Sequence, residues 1–213
     1  MFLAARRFLM AEDGRGKYLI PGLWDMHVHS LNTAWIETFF PLFIASGVTG
    51  TRDMARPLTD LELFKNRWSK EIAAGSRIGP RVVAAGPSID GPKRVFPYLS
   101  VQTETEGREA VRMLRQHGVD FIKVYSGLPR DIYFAIADEV KKQELSFVGH
   151  PPNAVSPIEA SDAGQKSFEH LFTVLIGCSK KEDELRKEAV AAMIRADGPN
   201  SLAAHAQAEA RIC

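Results

Sequence analysis

Short apolar runs alternate with helix-length segments along most of this chain, and that alternation restricts the fold more than any other feature. The runs cover residues 23–30, 47–54, 81–86, 121–126, 147–151 and 168–172; helical periodicity fills residues 35–45, 61–74, 106–116, 130–142 and 156–163. Short runs bounded by Gly and Pro and separated by helices predict parallel strands joined by helical crossovers. Gly47, Gly118 and Gly164 follow helical segments, where a left-handed residue favours termination. Pro41 makes the first helix the least secure, because an interior proline kinks or ends a helix. Residues 86–100, with Pro87, Gly91, Pro92 and Pro97, read as a long loop of the kind that shapes a binding site. Residues 180–213 read as one or two helices broken at Gly198-Pro199.

The bulk properties exclude several classes. The 213 residues are 45% hydrophobic and 25% charged, with a formal net charge of +1. These are the values of an ordinary globular protein and give no hint of nucleic acid or an anionic membrane surface. No apolar run is long enough to span a bilayer. Residues 1–10 resemble a signal peptide only weakly: Arg6 and Arg7 interrupt the apolar stretch and no small-residue cleavage site follows. Two cysteines, Cys178 and Cys213, make no disulfide framework, which is compatible with a reducing, cytoplasmic setting.

Chemistry enters with Asp25-Met26-His27-Val28-His29, just after Pro21-Gly22-Leu23-Trp24. Residues two apart on a strand share a face, so His27 and His29 point the same way and supply half of a metal site. Lys123 lies in Phe121-Ile122-Lys123-Val124-Tyr125, where a cation is costly unless neutralised or paired, or unless it snorkels to water at the strand end. His150 and His170 end the runs Phe147-Val148-Gly149 and Ser167-Phe168-Glu169. All five lie near the C-terminal ends of predicted parallel strands, which in a closed barrel converge on one mouth. Tyr125 shares the face of Lys123; it either hydrogen-bonds a substrate or developing oxyanion, or packs as an aromatic. Asp25 shares the face of the histidine pair but sits deeper, where it could orient a ligand imidazole. Asp53, at the end of the second strand, is a candidate either to support the ligands from behind or to line the mouth. Arg52 and residues 94–98 are candidates to meet a substrate carboxylate. Glu169, adjoining His170, is expected on the opposite face. His117 and His205 read as surface residues.

The motifs Pro-Gly-Leu-Trp-Asp-Met-His-Val-His at 21–29, Gly-Val-Thr-Gly-Thr-Arg-Asp-Met at 47–54 and Gly-Pro-Arg-Val-Val-Ala-Ala-Gly-Pro at 79–87 are similar to those of the amidohydrolase superfamily, in its imidazolonepropionase-like and prolidase-like branch. Asp-Phe-Ile-Lys-Val-Tyr at 120–125, Gly-His-Pro at 149–151 and Ser-Phe-Glu-His-Leu at 167–171 complete the series. The resemblance implies an α/β fold of the (β/α)8 TIM-barrel type with a small β-sandwich. It implies that His27 and His29 bind one divalent metal, most simply zinc. It also implies that Lys123, carboxylated by CO2, bridges to a second metal held by His150 and His170. The activity implied is hydrolysis of C–N bonds (amide, lactam or Xaa-Pro type) by a metal-bound hydroxide, with Lys123 and Tyr125 as catalytic groups.

The sequence departs from that pattern in two places. The family's eighth-strand aspartate, which binds metal and shuttles the proton, has no counterpart after His170. Such barrels take ~200–250 residues or more, so about six strand–helix units are expected here. Residues 1–20 would be a remnant of the sandwich, 21–179 a partial barrel and 180–213 a helical segment. A truncated chain of this kind is expected to be inactive alone. The alternative is a non-catalytic remnant, or a regulatory or assembly relative. The partners expected are a small-molecule substrate and a second copy in a homo-oligomer, with no nucleic acid and no membrane.

Overall fold

The computed structural model describes residues 13–92, 98–171 and 173–195. The expectations about residues 1–10, residues 94–97, the Gly198-Pro199 break, His205 and Cys213 lie outside the described residues.

Every strand pair is parallel. Strand β1 (Leu23–Val28) is followed by α1 (Ile36–Ala45), β2 (Val48–Asp53), α2 (Leu58–Leu63), a π-turn at Phe64–Trp68, α3 (Ser69–Ala73) and β3 (Arg81–Ala84). Then come β4 (Ser88–Asp90), β5 (Tyr98–Ser100), α4 (Glu104–Gln116), β6 (Ile122–Val124), α5 (Arg130–Lys142) and β7 (Phe147–Gly149). The chain continues through α6 (Pro157–Asp162), a tight turn at Glu169–Leu171, α7 (Val174–Gly177) and α8 (Glu182–Arg195). The strands group as β1-β2-β3 and β5-β4-β6-β7. Hydrogen bonds sew the groups into one curved wall. Asp120, just before β6, donates its N–H to the Ala84 carbonyl at the end of β3 (2.9 Å). The Asp120 carboxylate accepts the Ala84 N–H at 2.8 Å. β3 and β4 are thus successive parts of one path bent at Gly86-Pro87; the first pairs with β2, the second with β6.

Alternation along the strands separates two interiors. Val82, Ala84, Ile89, Ile122, Val124 and Phe147 face the helices and join the main core with Leu61, Phe64, Leu114, Ile132 and Ile136. Met54, Ala85, Phe121 and Val148 form a second cluster on the opposite, inner face. The helices follow from local signals. Thr103 caps α4 by accepting the Glu106 N–H, and the Glu106 carboxylate accepts the Gln102 N–H. Gly107, Ala110, Val111 and Leu114 then lie along one buried stripe. Gly47, Gly118 and Gly164 all have positive φ, as their positions after helices predict.

The structure differs from the sequence reading in three places. Helix α1 runs unbroken through Pro41; the ring removes only one backbone donor. Residues 86–100 contain two short strands rather than one long loop, because pairing with β6 overrides the poor strand propensity of Ser88 and Asp90. Residues 168–171 form no strand. A single bridge, Gly149 to Phe168, is followed by a turn in which His170 and Leu171 have φ of 57° and 56°. Phe172 lies outside the described residues. Residues 13–20 form no strand. No helix among the described residues is long and apolar enough to cross a membrane.

Candidate metal centre

The inner face of the wall collects the predicted residues at the C-terminal ends of the strands. His27 and His29 come from the end of β1 and the residue just past it, with ring centroids 5.4 Å apart. His170 lies 4.5 Å from His27 and 5.4 Å from His150, so the four imidazoles form a chain across the mouth. Tyr125 stacks on His150 at 4.1 Å. Lys123 Nζ lies 5.7 Å from the centre of the Tyr125 ring.

Backbone geometry aims His150. Gly149 has φ of 125°, and a Cβ there would drive into the Val124 carbonyl. Only glycine takes that conformation without strain, and it is the last residue of β7, just before the histidine. On β1 the parallel register breaks between Asp25 and Val28, which places Met26 and His27 on a bulge. Bulges re-aim side chains beside functional sites.

Each of three imidazoles has its Nδ1 engaged by the protein. His27 Nδ1 meets Glu169 Oε2 at 2.6 Å. His29 Nδ1 lies 3.2 Å from the Ala55 carbonyl, an acceptor only, so Nδ1 carries the proton. His150 Nδ1 lies 3.0 Å from Ser126 Oγ. Ligand imidazoles are held this way when the opposite nitrogen binds a metal.

The electrostatics follow from burial. Lys123 is 2% exposed, and burial pushes its ammonium down to about 8, against the pull of Glu169. It does not snorkel to water. Desolvation around the His29 ring pushes it down to about 4. His170 is also lowered, by burial first and then by His27 and Lys123. Burial opposes the Glu169 charge, but hydrogen bonds from His27 and Ser167 and the Arg52 guanidinium prevail and hold it at about 2. Asp53, wholly buried, is raised to about 6 by desolvation although its Oδ2 accepts the Ser30 and Leu31 N–H groups at 2.6 and 2.9 Å.

Three secondary expectations change, those for Glu169, Asp25 and Arg52. Glu169 does not point away; it reaches the His27 ring, because the chain leaves strand geometry at residue 169 and strict alternation ceases to apply. Asp25 accepts the His27 backbone N–H (3.1 Å) rather than a bond from its ring. Asp53 keeps a supporting place, its Oδ2 accepting the Ser30 and Leu31 N–H groups of the loop after His29. Arg52 is occupied by Glu169, Met26 and Ser167. His117 is at the surface, as expected, with its Nδ1 on Glu62.

The donor chemistry suits one or two dications. Two imidazoles on one zinc, each nitrogen about 2.0–2.1 Å from the metal, bring their ring centroids to about 5 Å. The His27–His29 and His150–His170 pairs both stand at 5.4 Å. No three His, Cys, Asp or Glu side chains among the described residues are grouped as a ready metal-binding set. The fit among the described residues is therefore of imidazole pairs.

No family model and no curated protein matches the chain. Solved structures do. A Bifidobacterium longum chain assigned as a prolidase matches with a TM-score of 0.58 and 22% identity, over 89% of this chain and 54% of that one. A. niger ochratoxinase gives 0.58 and 20%, over 90% and 59%. A Xaa-Pro dipeptidase with bound methionine in its active site gives 0.55 and 16%, over 99% and 66%. These likenesses show the fold. The wall is part of an α/β barrel of the TIM type, and the chain spans little more than half the length of the first of these structures.

Proposed function

We propose that this mouth holds one or two divalent cations, zinc foremost, and serves hydrolysis of a C–N bond in an amide, lactam or Xaa-Pro substrate. The observation that carries the reading is the pairing of four imidazoles at one strand end around a lysine that is 2% exposed. The fold shared with a prolidase-assigned chain, an ochratoxinase and a Xaa-Pro dipeptidase supports it, as does the resemblance of the motifs at 21–29, 120–125 and 167–171 to the amidohydrolase superfamily. Bound dications would lower the pKa of water to about 7 and polarise a carbonyl.

The chain's own residues have separate tasks in this reading. His27 with His29, and His150 with His170, are the two ligand pairs. Lys123 joins them as a carbamate. A value near 8 leaves part of the amine neutral at ordinary pH; its lone pair adds to the carbon of CO2, one proton leaves, and the product is an anionic oxygen ligand. Tyr125 packs on His150, and its hydroxyl is the group that would hydrogen-bond a bound substrate.

A second reading, a non-catalytic relative that keeps the barrel, draws on the absence of a three-ligand group among the described residues. One experiment separates the two. Metal analysis of the purified chain with zinc and bicarbonate should find bound metal that drops sharply in His27→Ala and His29→Ala. Hydrolysis should then be sought across N-acyl amino acids, Xaa-Pro dipeptides and lactams. Equal metal content in wild type and both variants would sink the metal reading.

A further inference from the structure

The Glu169 carboxylate is the centre of a clamp that spans the inner face. It is 6% exposed and takes three donors: His27 Nδ1 at 2.6 Å, Arg52 Nη2 at 2.7 Å and Ser167 Oγ at 2.6 Å. Arg52 branches further. Its Nε donates to the Met26 carbonyl at 2.7 Å, and its Nη1 reaches Ser167 Oγ at 3.2 Å. Met26 lies in the break of the β1–β2 register, so a side chain from β2 bonds the carbonyl where the backbone ladder is interrupted. The same guanidinium stands 5.8 Å from the centre of the Phe121 ring, which fixes it from the β6 side.

The chemistry of this arrangement is directional. A carboxylate already bonded by a guanidinium and a hydroxyl is ionised and has only acceptor sites. An imidazole nitrogen 2.6 Å from it must carry a proton. We infer that Glu169, held by Arg52 and Ser167, is a positioning residue: it locks the His27 tautomer with the proton on Nδ1 and so turns the Nε2 lone pair toward the mouth. The metal consequence rests on the function proposed above; the tautomer lock does not.

Arg52 makes the lock mechanical as well as electrostatic. By holding both the Met26 carbonyl and Glu169, it couples the bulge that aims His27 to the carboxylate that orients its ring. Losing the charge at residue 169 leaves Arg52 without its buried counter-ion and the His27 ring free to turn over.

The test uses the full chain and Glu169→Gln, which keeps shape and removes charge. Nitrogen chemical shifts of His27 in the metal-free protein report the tautomer, and zinc titration against a competing chelator reports affinity. The expected result is a single Nδ1–H tautomer in wild type, a mixture in Glu169→Gln, and about 10–100-fold weaker zinc binding in the variant. If Glu169→Gln does not fold, Ser167→Ala weakens the same clamp with less disturbance and should shift both readouts in the same direction. Weaker zinc binding with an unchanged tautomer overturns the inference and makes Glu169 a structural residue only; no change in either readout overturns it too. A tautomer that shifts in a chain that binds no zinc upholds the positioning role while the metal reading fails.

Discussion

Tyr125 lies nearly face to face with His150, ring centroids 4.1 Å apart and planes inclined by 28°. The register explains the contact. Lys123 pairs with Val148 and Val124 with Gly149, so the next step brings Tyr125 beside His150 on the inner face. Tyr98, at the start of β5, meets the Tyr125 ring edge to face with centroids 5.1 Å apart. A stacked aromatic restricts an imidazole as effectively as a hydrogen bond does. Tyr125→Phe should retain stability within about 1 kcal/mol, together with whatever metal occupancy the wild type shows. Tyr125→Ala should lose roughly 2–4 kcal/mol, less than a wholly buried aromatic because Tyr125 is only half-buried. Urea unfolding of the three proteins beside metal analysis checks this. A hydroxyl role in hydrolysis would show as lost activity in Tyr125→Phe with metal content intact.

The wall of this fold was legible because period-two alternation carries over directly. Counting places His27 with His29 and Lys123 with Tyr125; in the structure the His27 and His150 rings each approach His170, and Tyr125 stacks on His150. Glu169 was not legible. Its position beside His170 predicts the opposite face only if residues 168–171 stay extended, and they turn instead, with positive φ at His170. The strands at Ser88–Asp90 and Tyr98–Ser100 were hidden for another reason. Their sequence is that of a loop; β4 becomes a strand by pairing with β6, more than thirty residues later, and β5 by pairing with β4.

Lys123 sets function against stability. The amine is 2% exposed among Phe121, Val148 and Tyr125, and a buried cation costs free energy that a hydrocarbon of similar length does not. Lys123→Met should leave the metal-free protein at least as stable as wild type in urea, while abolishing any bicarbonate-dependent increase in metal binding. A loss above about 2 kcal/mol in the metal-free variant would show that Glu169 and Asp53 already compensate the charge fully.

Gly149→Ala should be among the most damaging single-methyl changes in the chain. The residue combines φ of 125° with a closed approach to the Val124 carbonyl. The strain of placing a Cβ there is about 1–3 kcal/mol before any clash is counted, and relief requires β6 and β7 to separate. Thermal melting should fall by several degrees, and the stack of Tyr125 on His150 should loosen with it. Unchanged melting would mean that the wall tolerates a different path into His150.

Helix α6 carries a reciprocal cap whose charge can be titrated. Ser156 Oγ accepts the Glu159 N–H at 3.1 Å, and Glu159 Oε2 accepts the Ser156 N–H at 3.0 Å. Hydrogen bonding to Arg130 and to Ser156 holds the Glu159 carboxyl at about 2, below its ordinary 4.5. A depressed carboxylate contributes stability above its unfolded value, so this contribution is complete above about pH 5 and is lost as pH falls toward 2. Ser156→Ala should cost ~1 kcal/mol at pH 7. Glu159→Gln should melt lower than wild type at pH 7, and the gap should narrow below pH 5 and close only as pH approaches 2. A gap that stays constant across that range would place the stabilisation in packing rather than charge.

Turnover by this chain alone should be weak, because each carboxylate of the described mouth already accepts at least one protein donor. Glu169 is held by three donors, Asp53 Oδ2 by the Ser30 and Leu31 N–H groups, Asp25 by the His27 N–H, and Asp90 by the Gly91 and Gly127 N–H groups. A base that already accepts buried donors is poorly placed to take a proton from water and pass it to a leaving nitrogen. General acid–base groups contribute ~10²–10⁴-fold in rate. With zinc and bicarbonate supplied, the chain should hydrolyse Xaa-Pro dipeptides and N-acyl amino acids at least about 100-fold more slowly than a Xaa-Pro dipeptidase assayed beside it. The described β1 strand also leaves Leu23, Trp24 and Met26 about half exposed, an apolar edge that favours self-association and should appear as a concentration-dependent increase in mass by light scattering. Comparable turnover, abolished by His150→Ala, would show that a proton acceptor is available at this mouth after all and that one of the four carboxylates leaves its bonds to act.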